Sequence, residues 1–364
     1  MTTPGSALGA ITVRPVSRTL PPPPQTSFAS DNAAGVSPEV MAALAAANLG
    51  SALAYGDDHW TRRAEVAIAE LFEAPVISLA CWGGTGANVV GLASVLRPWQ
   101  AVIATNAAHI VTDECGAPAR FSGATVAPVP HVNGKLEPEA LAGYLDWFGT
   151  EHHPQPAVLS VSQATELGTI YTIEELAALA DAAHRAGMLL HLDGARIANA
   201  VASSGSSMPE MVRDTGVDLM TFGFTKNGAM YGELVVYLRP ELAADARFVR
   251  KQASQLTSKS RFVAAQVLAL VEGGLWLRNA DHANRMARRL AEGVGRIQGV
   301  EIAHPPEANA VFARIPQWAI PPLQEWSYFW EWDSSQSLVR WMTSFATTIA
   351  DVDAFVAGVA AVIG

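Results

Sequence analysis

A lysine and an aspartate stand near the ends of two short apolar segments, and together they offer the clearest chemistry in this chain. Asp193 lies within the segment 188–197, and Lys226 lies near the end of the segment 218–228. Short apolar runs between turn signals are typical of buried parallel strands. Because ligands of open α/β sheets bind outside the carboxyl ends of the strands, we expect this carboxylate and this amine to face one crevice.

An amine and a carboxylate in one crevice can support carbonyl chemistry. A lysine amine forms a Schiff base with an aldehyde, and a buried aspartate keeps a pyridine nitrogen protonated so that the ring accepts electrons. Pyridoxal phosphate sites use both groups, so Asp193 and Lys226 indicate such a site. The alternative interpretation is a structural ion pair between two strand ends.

A glycine-rich turn adds a candidate anion site. The apolar run 76–82 predicts a strand, which continues into the segment Gly83–Asn88 and a helix to about residue 95. Free backbone N–H groups and the helix dipole attract anions at such a helix start, and glycine allows close approach. The segment has neither the G-x-x-x-x-G-K-[ST] pattern of nucleoside triphosphate sites nor the G-x-G-x-x-G order of dinucleotide sites. Any turn between a strand and a helix can be rich in glycine, but beside Lys226 and Asp193 this one suits the monophosphate of a cofactor.

Histidines in two regions could take part in chemistry. His109 follows the predicted strand 101–105, where it could stack on a flat ring or move protons near neutral pH; a structural histidine is the alternative. His152 and His153 are adjacent, and side chains alternate along an extended chain, so both cannot face one ligand. The sequence therefore predicts no zinc site, and no other cluster of metal ligands is visible in it.

The composition limits the classes of partner. The chain of 364 residues has a net charge of −10, which argues against a nucleic-acid partner. It has no long uncharged apolar run and no signal-peptide pattern, so we expect no membrane span. The two cysteines, Cys81 and Cys115, indicate reduced thiols of a cytoplasmic protein. Charged residues amount to 16%, which favours an oligomer that hides much of its surface.

The order of patterns predicts an α/β fold with two domains. Residues 1–27 include Pro21–Pro24 and show little periodicity, which indicates an extended or disordered N-terminal arm. Alternating strand and helix patterns in residues 28–250 predict a large domain with a mostly parallel central sheet. Residues 251–364 contain helices and several strand-like pieces, which predict a smaller C-terminal α/β domain. Four such pieces are 300–303, 310–314, 327–330 and 339–342.

Several segments together resemble one enzyme family. The chain is similar to the low-specificity L-threonine aldolases, which belong to fold type I of the pyridoxal phosphate enzymes, the aspartate aminotransferase superfamily. The pair of segments around Asp193 and Lys226 is the most specific part of this resemblance. The matching segments are Phe28–Asn32, Tyr55–Asp58, Gly84–Asn88, His109 with Thr112–Pro118, Gln163–Glu166, His191–Arg196, Phe224–Gly228 and Val339–Met342.

The resemblance implies a role for each matching residue. Lys226 would carry the cofactor, and Asp193 would pair with its pyridine nitrogen. The remaining roles are ring stacking by His109, phosphate binding by Gly84 and Thr85, cofactor and substrate contacts by Arg196, carboxylate binding by Arg340 with help from Ser30, and a place near the substrate hydroxyl for His152. The catalytic set would then comprise Lys226, His109, His152 and Asp193, with pyridoxal 5′-phosphate as cofactor.

The activity implied is reversible cleavage of L-threonine, L-allo-threonine or related β-hydroxy amino acids to glycine and an aldehyde. His109, His152 or a held water could be the base that takes the hydroxyl proton. The resemblance also implies a homo-oligomer, a dimer or a tetramer. Other reactions on the same scaffold remain as alternatives: β-elimination, transamination, or aldol synthesis onto glycine. A protein that only binds or assembles is a further alternative, although it would need neither the lysine nor the aspartate.

Overall fold

A seven-stranded sheet forms the centre of the protein. The computed structural model describes residues 20–364. The strands are β1 (Ile77–Cys81), β2 (Gln100–Thr105), β3 (Thr125–Val129), β4 (Gln155–Ser162), β5 (Leu189–Gly194), β6 (Leu219–Gly223) and β7 (Glu233–Tyr237). Their order across the sheet is β1-β7-β6-β5-β4-β2-β3. Strand β7 is antiparallel to both of its neighbours, and the other pairs are parallel, which confirms the predicted mostly parallel α/β sheet.

Helices cover both faces of this sheet. They are α1 (Pro38–Ala47), α2 (His59–Phe72), α3 (Gly84–Val95), α4 (His109–Thr112), α5 (Ala117–Ser122), α6 (Ile173–Arg185), α7 (Ile197–Ser204), α8 (Ala246–Gln252), α9 (Arg261–Val271) and α10 (Leu275–Val294). Met220 and Phe222 pack on the face covered by α2, α6, α7 and α9, whereas Leu219 packs on the opposite face with α3. Burial on both faces explains why the strand segments are apolar throughout rather than alternating.

A second, smaller sheet follows in the C-terminal part of the chain. Its strands are β8 (Glu301–Ile302), β9 (Ala310–Arg314), β10 (Trp330–Asp333) and β11 (Leu338–Met342), in the order β10-β11-β9-β8 with every neighbouring pair antiparallel. Two further helices are α11 (Ile320–Trp326) and α12 (Ile349–Ile363). The apolar side chains of β9 and β11 pack against α10 and α12 around the buried Trp341 and Phe355. None of the helices within residues 20–364 combines the length and the apolar character that crossing a membrane requires.

The start of the described chain lies against this smaller sheet and its helices. Of the predicted N-terminal arm, residues 1–19 lie outside the described residues. In the part that follows, the carbonyl oxygen of Pro21 accepts a hydrogen bond from the indole of Trp326 at 2.8 Å. The ring of Phe28 packs on Phe355 with 4.4 Å between centroids. Phe28 therefore joins the apolar cluster of the C-terminal part.

The two main apolar clusters meet along α10. Leu275 and Trp276 at its start belong to the cluster around the large sheet, whereas Leu290 and Val294 near its end belong to the cluster around the small sheet. Helix α9 packs with α1 and α2 against the large sheet. The sequence-based domain limits at residues 27 and 250 stay predictions.

Candidate active site

Asp193 and Lys226 line one crevice at the carboxyl end of the large sheet. Asp193 lies in β5, and Lys226 lies in a single 3₁₀ turn, Thr225–Asn227, that directly follows β6. Strands β5 and β6 are neighbours, so the two side chains enter the crevice side by side. Of the residues singled out in the sequence, Gly84, Thr85, His109 and Arg196 also line it.

The turn that presents Lys226 is fixed from several sides. The side-chain amide of Asn227 donates to the carbonyl of Trp276 at 2.8 Å, and Asn279 donates to the carbonyl of Asn227 at 2.9 Å. Gly228 has φ +109°, and a Cβ there would approach the Ser37 hydroxyl to 2.7 Å, so this position requires glycine.

The surroundings of Lys226 favour its neutral amine. Burial lowers the pKa of Lys226, and the positive charge of Arg196 lowers it further, while Asp31, Glu233 and Asp193 oppose this shift. A neutral amine is the form that attacks an aldehyde.

Asp193 is held by two hydrogen bonds and is buried. Its Oδ1 accepts from the backbone N–H of Ala195 at 3.0 Å, and its Oδ2 accepts from Nδ2 of Asn88 at 2.8 Å. A carboxylate oxygen has more than one lone pair, so both oxygens keep capacity for a further donor. Such a carboxylate can pair with a protonated ring nitrogen.

Asn88 connects Asp193 to a second buried carboxylate. Its Nδ2 also donates to Oε1 of Glu114 at 2.8 Å, and its Oδ1 accepts from the hydroxyl of Thr221 at 2.7 Å. The same Oε1 of Glu114 lies 2.9 Å from Nδ1 of His109. This hydrogen bond raises the pKa of His109, although burial opposes the shift. Sequence reasoning gave Asn88 and Glu114 no role, although both belong to motifs that it quoted.

The amino end of α3 has the features of an anion site. Gly83 precedes the helix without a side-chain cap, and a Cβ built on Gly83 or Gly84 would meet open space. Beside it, the backbone N–H of Trp82 donates to the side chain of Gln255 at 3.1 Å, and this side chain fills the space next to Gly86. Helix N–H groups without partners can hold a phosphate.

Arg196 is fixed by a carboxylate that the sequence analysis left without a role. Its Nε and Nη2 donate to the two oxygens of Asp31 at 2.7 Å and 2.9 Å. Asn309 also donates to Asp31, at 3.0 Å. Ser30 caps the 3₁₀ turn that begins at Asp31, because its hydroxyl oxygen accepts from the N–H of Asn32 at 3.1 Å. Ser30 thus lies directly beside the Asp31–Arg196 pair.

Arg340 in β11 is close enough to Arg196 for their charges to interact. Burial lowers the pKa of Arg340 to about 10, and the charge of Arg196 adds to this effect. Its guanidinium lies 4.7 Å from the ring centroid of Trp332, and its buried Nε has no hydrogen-bond partner within residues 20–364. Two guanidinium groups that repel one another gain from an anion placed between them.

Glu166 is a second buried acid that sequence reasoning quoted without a role. It follows β4 and lines the crevice. Its Oε1 accepts from the hydroxyl of Ser162 at 2.6 Å and from the backbone N–H of His109 at 3.0 Å. The position of Glu166 just after a central strand was the signal that could have identified it.

The structure does not bring His152 to the crevice of its own chain. His152 is exposed in the loop before β4, at the amino end of that strand, and the crevice lies at the carboxyl end. The eight residues of β4 separate the two ends by roughly 26 Å. The expected place of His152 near the substrate hydroxyl therefore needs correction for a single chain. In the described part of the chain, no group of three or more His, Cys, Asp or Glu side chains is arranged to hold a metal ion.

Comparisons with known proteins agree with the resemblance seen in the sequence. A family model described as beta-eliminating lyase matches residues 27–317. A low specificity L-threonine aldolase of Pseudomonas aeruginosa is 41% identical over 326 residues, which cover 89% of this chain and 94% of that protein. A low specificity L-threonine aldolase of Saccharomyces cerevisiae is 28% identical over 280 residues, covering 76% of this chain and 70% of that protein.

A solved structure shares the whole architecture. The threonine aldolase of Leishmania major superposes with a TM-score of 0.86 at 30% sequence identity, covering 93% of this chain and 100% of that one. The family model spans most of the chain, and the Pseudomonas aeruginosa protein matches it over nearly the full length of both. The chain therefore belongs to the beta-eliminating lyase family and, within it, to the low-specificity L-threonine aldolases.

Proposed function

We propose that this protein is a pyridoxal 5′-phosphate-dependent aldolase. It cleaves L-threonine, L-allo-threonine or related β-hydroxy-α-amino acids reversibly to glycine and an aldehyde. One arrangement in the crevice carries the proposal. Lys226, whose pKa is lowered, lies close enough to Arg196 for their charges to interact, and the charges of Arg340 and Arg196 also interact. An amine for the cofactor and two cations for a substrate carboxylate are what an amino-acid enzyme of this type needs.

The residues in the crevice fit the cofactor. Lys226 would hold its aldehyde carbon, Asp193 its pyridine nitrogen, and Gly84 with Thr85 its phosphate, while His109 would lie against the ring. When bound, pyridoxal phosphate supplies an aldehyde that condenses with amines and a ring that accepts an electron pair. Support comes from the buried carboxylate of Asp193 and from the uncapped amino end of α3.

The chain's own groups would select which bond of the substrate breaks. Arg196 and Arg340 hold the substrate carboxylate, with Ser30 beside Arg196, and this fixes the rotation about the bond between nitrogen and Cα. The bound cofactor would supply the electron acceptor for the Cα bond that these contacts select. If that bond joins Cα to Cβ, and a base removes the β-hydroxyl proton, the products are glycine and an aldehyde.

Exposed apolar side chains support a homo-oligomer, either a dimer or a tetramer, and we further propose that the protein is cytoplasmic. Leu49, Leu53 and Phe248 are 81%, 72% and 76% exposed. Tyr55 is half-exposed, and its ring lies 5.1 Å from Nζ of Lys251, which places the segment 49–55 beside α8. Large apolar side chains grouped on a surface mark a contact with another chain. Light scattering of the purified protein would measure the state directly.

Product analysis tests the proposed activity. Purified protein is incubated with L-threonine, L-allo-threonine and L-phenylserine, and glycine and the matching aldehyde are measured. Wild type should yield both, and Lys226→Ala should yield neither and should retain no covalently bound cofactor. Lys135→Ala is the matched control. Lys135 does not line the crevice, and its Nζ lies 2.7 Å from the carboxylate of Glu175, so this variant should behave as wild type.

The same incubation separates the alternatives. Ammonia and a keto acid in place of glycine would indicate β-elimination, the reaction after which the matching family model is described. A keto acid without ammonia would indicate transamination. Bound cofactor with no aldehyde from any of the three substrates would overturn the aldolase activity and leave the cofactor assignment in place.

A further inference from the structure

One carboxylate oxygen in the crevice has no partner among the described residues. Oε1 of Glu166 accepts two hydrogen bonds, from Ser162 and from the backbone of His109, whereas its Oε2 is buried and accepts none within residues 20–364. A buried polar atom without a partner costs free energy, so such an atom that lines a crevice is suited to meet a ligand or a water there. The hydrogen bonds to Oε1 fix the carboxylate and leave Oε2 for that ligand.

Glu166 lines the crevice within range of the charges of both Arg196 and Asp193. Burial lowers the pKa of Arg196, but the charge and hydrogen bond of Asp31, with smaller contributions from the charges of Glu166 and Asp193, raise it overall. Glu114 also has a buried oxygen without a partner in the described chain, but it contacts Asn88 and the ring of His109. Glu114 is therefore on the side of Asp193, where the cofactor nitrogen would lie.

The other candidate bases are less suitably placed. Within one chain His152 lies at the opposite end of β4, and the ring of His109, which Glu114 holds through Nδ1, is expected to lie against the cofactor ring. Glu166 accepts from the backbone N–H of His109 and lines the crevice together with Arg196 and Lys226. Burial raises the pKa of Glu166, which makes its ionised form a stronger proton acceptor.

We propose that Glu166 accepts the proton of the substrate β-hydroxyl group in cleavage and returns a proton to the aldehyde oxygen in the reverse direction. The inference rests on the proposed aldolase function. The O–H bond breaks and its proton passes to Oε2, while the carbon–oxygen bond becomes the double bond of the aldehyde. The Cα–Cβ bond breaks, its electron pair stays with the glycine fragment, and a proton later bonds to Cα. Atoms and charge therefore balance without an oxidant or a reductant.

Glycine provides an internal control, because it lacks a β-hydroxyl group. Exchange of its Cα proton with deuterium from solvent needs the cofactor, Lys226 and the carboxylate contacts, but it does not need a base for a hydroxyl. The variant is Glu166→Gln, whose amide oxygen can still accept from Ser162 and from the N–H of His109. Cleavage of L-allo-threonine, deuterium exchange into glycine by NMR, and cofactor affinity by absorbance titration are measured on the same preparations.

We expect Glu166→Gln to lower the cleavage rate by about 100- to 10,000-fold, the range for loss of a general base. Glycine exchange and cofactor affinity should stay within about threefold of wild type, a difference of less than about 1 kcal/mol. The control variant Glu175→Gln, on the exposed start of α6, should match wild type in all three measurements.

Two results would overturn the inference. Cleavage that persists in Glu166→Gln at the wild-type rate would show that another group takes the proton. Equal losses of cleavage and glycine exchange would show that Glu166 only supports the cofactor or the crevice. A wild-type protein that exchanges glycine but cleaves no β-hydroxy amino acid would instead overturn the proposed function, and this inference with it.

Discussion

Asp31 and Arg196 form a buried ion pair with two parallel hydrogen bonds of 2.7 Å and 2.9 Å. The pair joins the segment that follows Phe28 to the loop after β5, 165 residues later. The opposite charge of Asp31 offsets the cost of burying the Arg196 guanidinium, and Asn309 supplies a further hydrogen bond to Asp31. The free side of the guanidinium is thereby held in one orientation towards the crevice.

The variant Asp31→Asn should damage both stability and substrate binding. It leaves the buried guanidinium of Arg196 without its counter-charge, which costs about 3 to 5 kcal/mol for a pair of this kind. Because Arg196 then loses its fixed orientation, KM for the amino acid should rise at least about tenfold. Urea unfolding and steady-state kinetics measure the two effects.

A surface pair gives the control for that variant. Arg185 and Asp181 are 2.9 Å apart, but their side chains are 71% and 75% exposed, so Asp181→Asn should change neither quantity measurably. If Asp31→Asn kept wild-type stability and KM, the buried pair would be irrelevant to the orientation of Arg196.

Much of the fold follows from local patterns in the sequence, and the errors have local causes. Strand β9 has the bounds that its apolar pattern predicts, residues 310–314. Strand β3 was not predicted, since Pro128 interrupts its pattern; β3 is an edge strand, where a proline without an N–H is tolerated. The predicted strand 327–330 is wrong in its bounds, because α11 continues to Trp326 and β10 begins at Trp330.

Two prolines explain why α11 was missed. Pro321 and Pro322 stand in its first turn, where the N–H groups have no intrahelical partner in any helix, so their loss costs little. In a sequence, the same two prolines look like a break. Local composition alone therefore does not identify this helix.

Site residues with strong local motifs were recognisable from the sequence, but their supporting partners were not. Asn88, Glu114 and Asp31 act through contacts with residues far along the chain, and one sequence contains no record of such pairings. The role of His152 was inferred from its motif alone, and within one chain this residue lies away from the crevice. A residue just before a parallel strand must lie at its amino end, away from the ligand edge.

Glu114→Gln should lower the pKa of His109. In wild type, the hydrogen bond and charge of Glu114 raise this pKa above the usual value, against the effect of burial. A raised pKa means that the native state favours the protonated ring, so the stabilisation is present at acidic pH and is lost as pH rises through the native pKa. The variant should therefore destabilise the protein more at about pH 5.5 than at about pH 8.5.

NMR of the histidine ring protons and urea unfolding at the two pH values test this expectation. Glu301→Gln is the control, because Glu301 pairs with Arg314 on the surface and does not contact a histidine. A titration midpoint of His109 that stays unchanged in Glu114→Gln would contradict the role of Glu114.

Arg340→Ala should weaken substrate binding far more than cofactor binding, because Arg340 is expected to meet the substrate carboxylate. Trp332→Leu offers a milder test, since it removes the ring 4.7 Å from the guanidinium and keeps the charge. A cation–π contact contributes about 0.5 to 2 kcal/mol, so KM should rise about 2- to 30-fold. Trp99→Leu, at a position 65% exposed, should leave KM unchanged. Equal losses of substrate and cofactor affinity in Arg340→Ala would contradict the assignment.

Glu233 should make the stability of the protein fall as pH rises towards neutrality. This carboxylate is buried at the start of β7 and accepts from the backbone N–H of Phe224 at 2.5 Å, in the turn that leads to Lys226. Burial raises its pKa from 4.5 to about 7, although the charge of Lys226 opposes the shift. Between these two values the unfolded chain loses the proton and the native state keeps it. The contribution of Glu233 to the free energy of unfolding is therefore fully present below about pH 4.5, and it is lost as pH rises to about 7.

The variant Glu233→Gln removes this proton equilibrium and should flatten the decline. The difference between the two pKa values corresponds to roughly 3 kcal/mol. The free energy of unfolding of the cofactor-free protein should therefore fall by about that much more in wild type than in Glu233→Gln between about pH 4.5 and pH 8. Glu39→Gln, on the exposed side of α1, should keep the wild-type slope. Identical slopes in wild type and Glu233→Gln would mean that Glu233 is already ionised at pH 4.5 in the native state, with Lys226 or the turn N–H groups holding its charge.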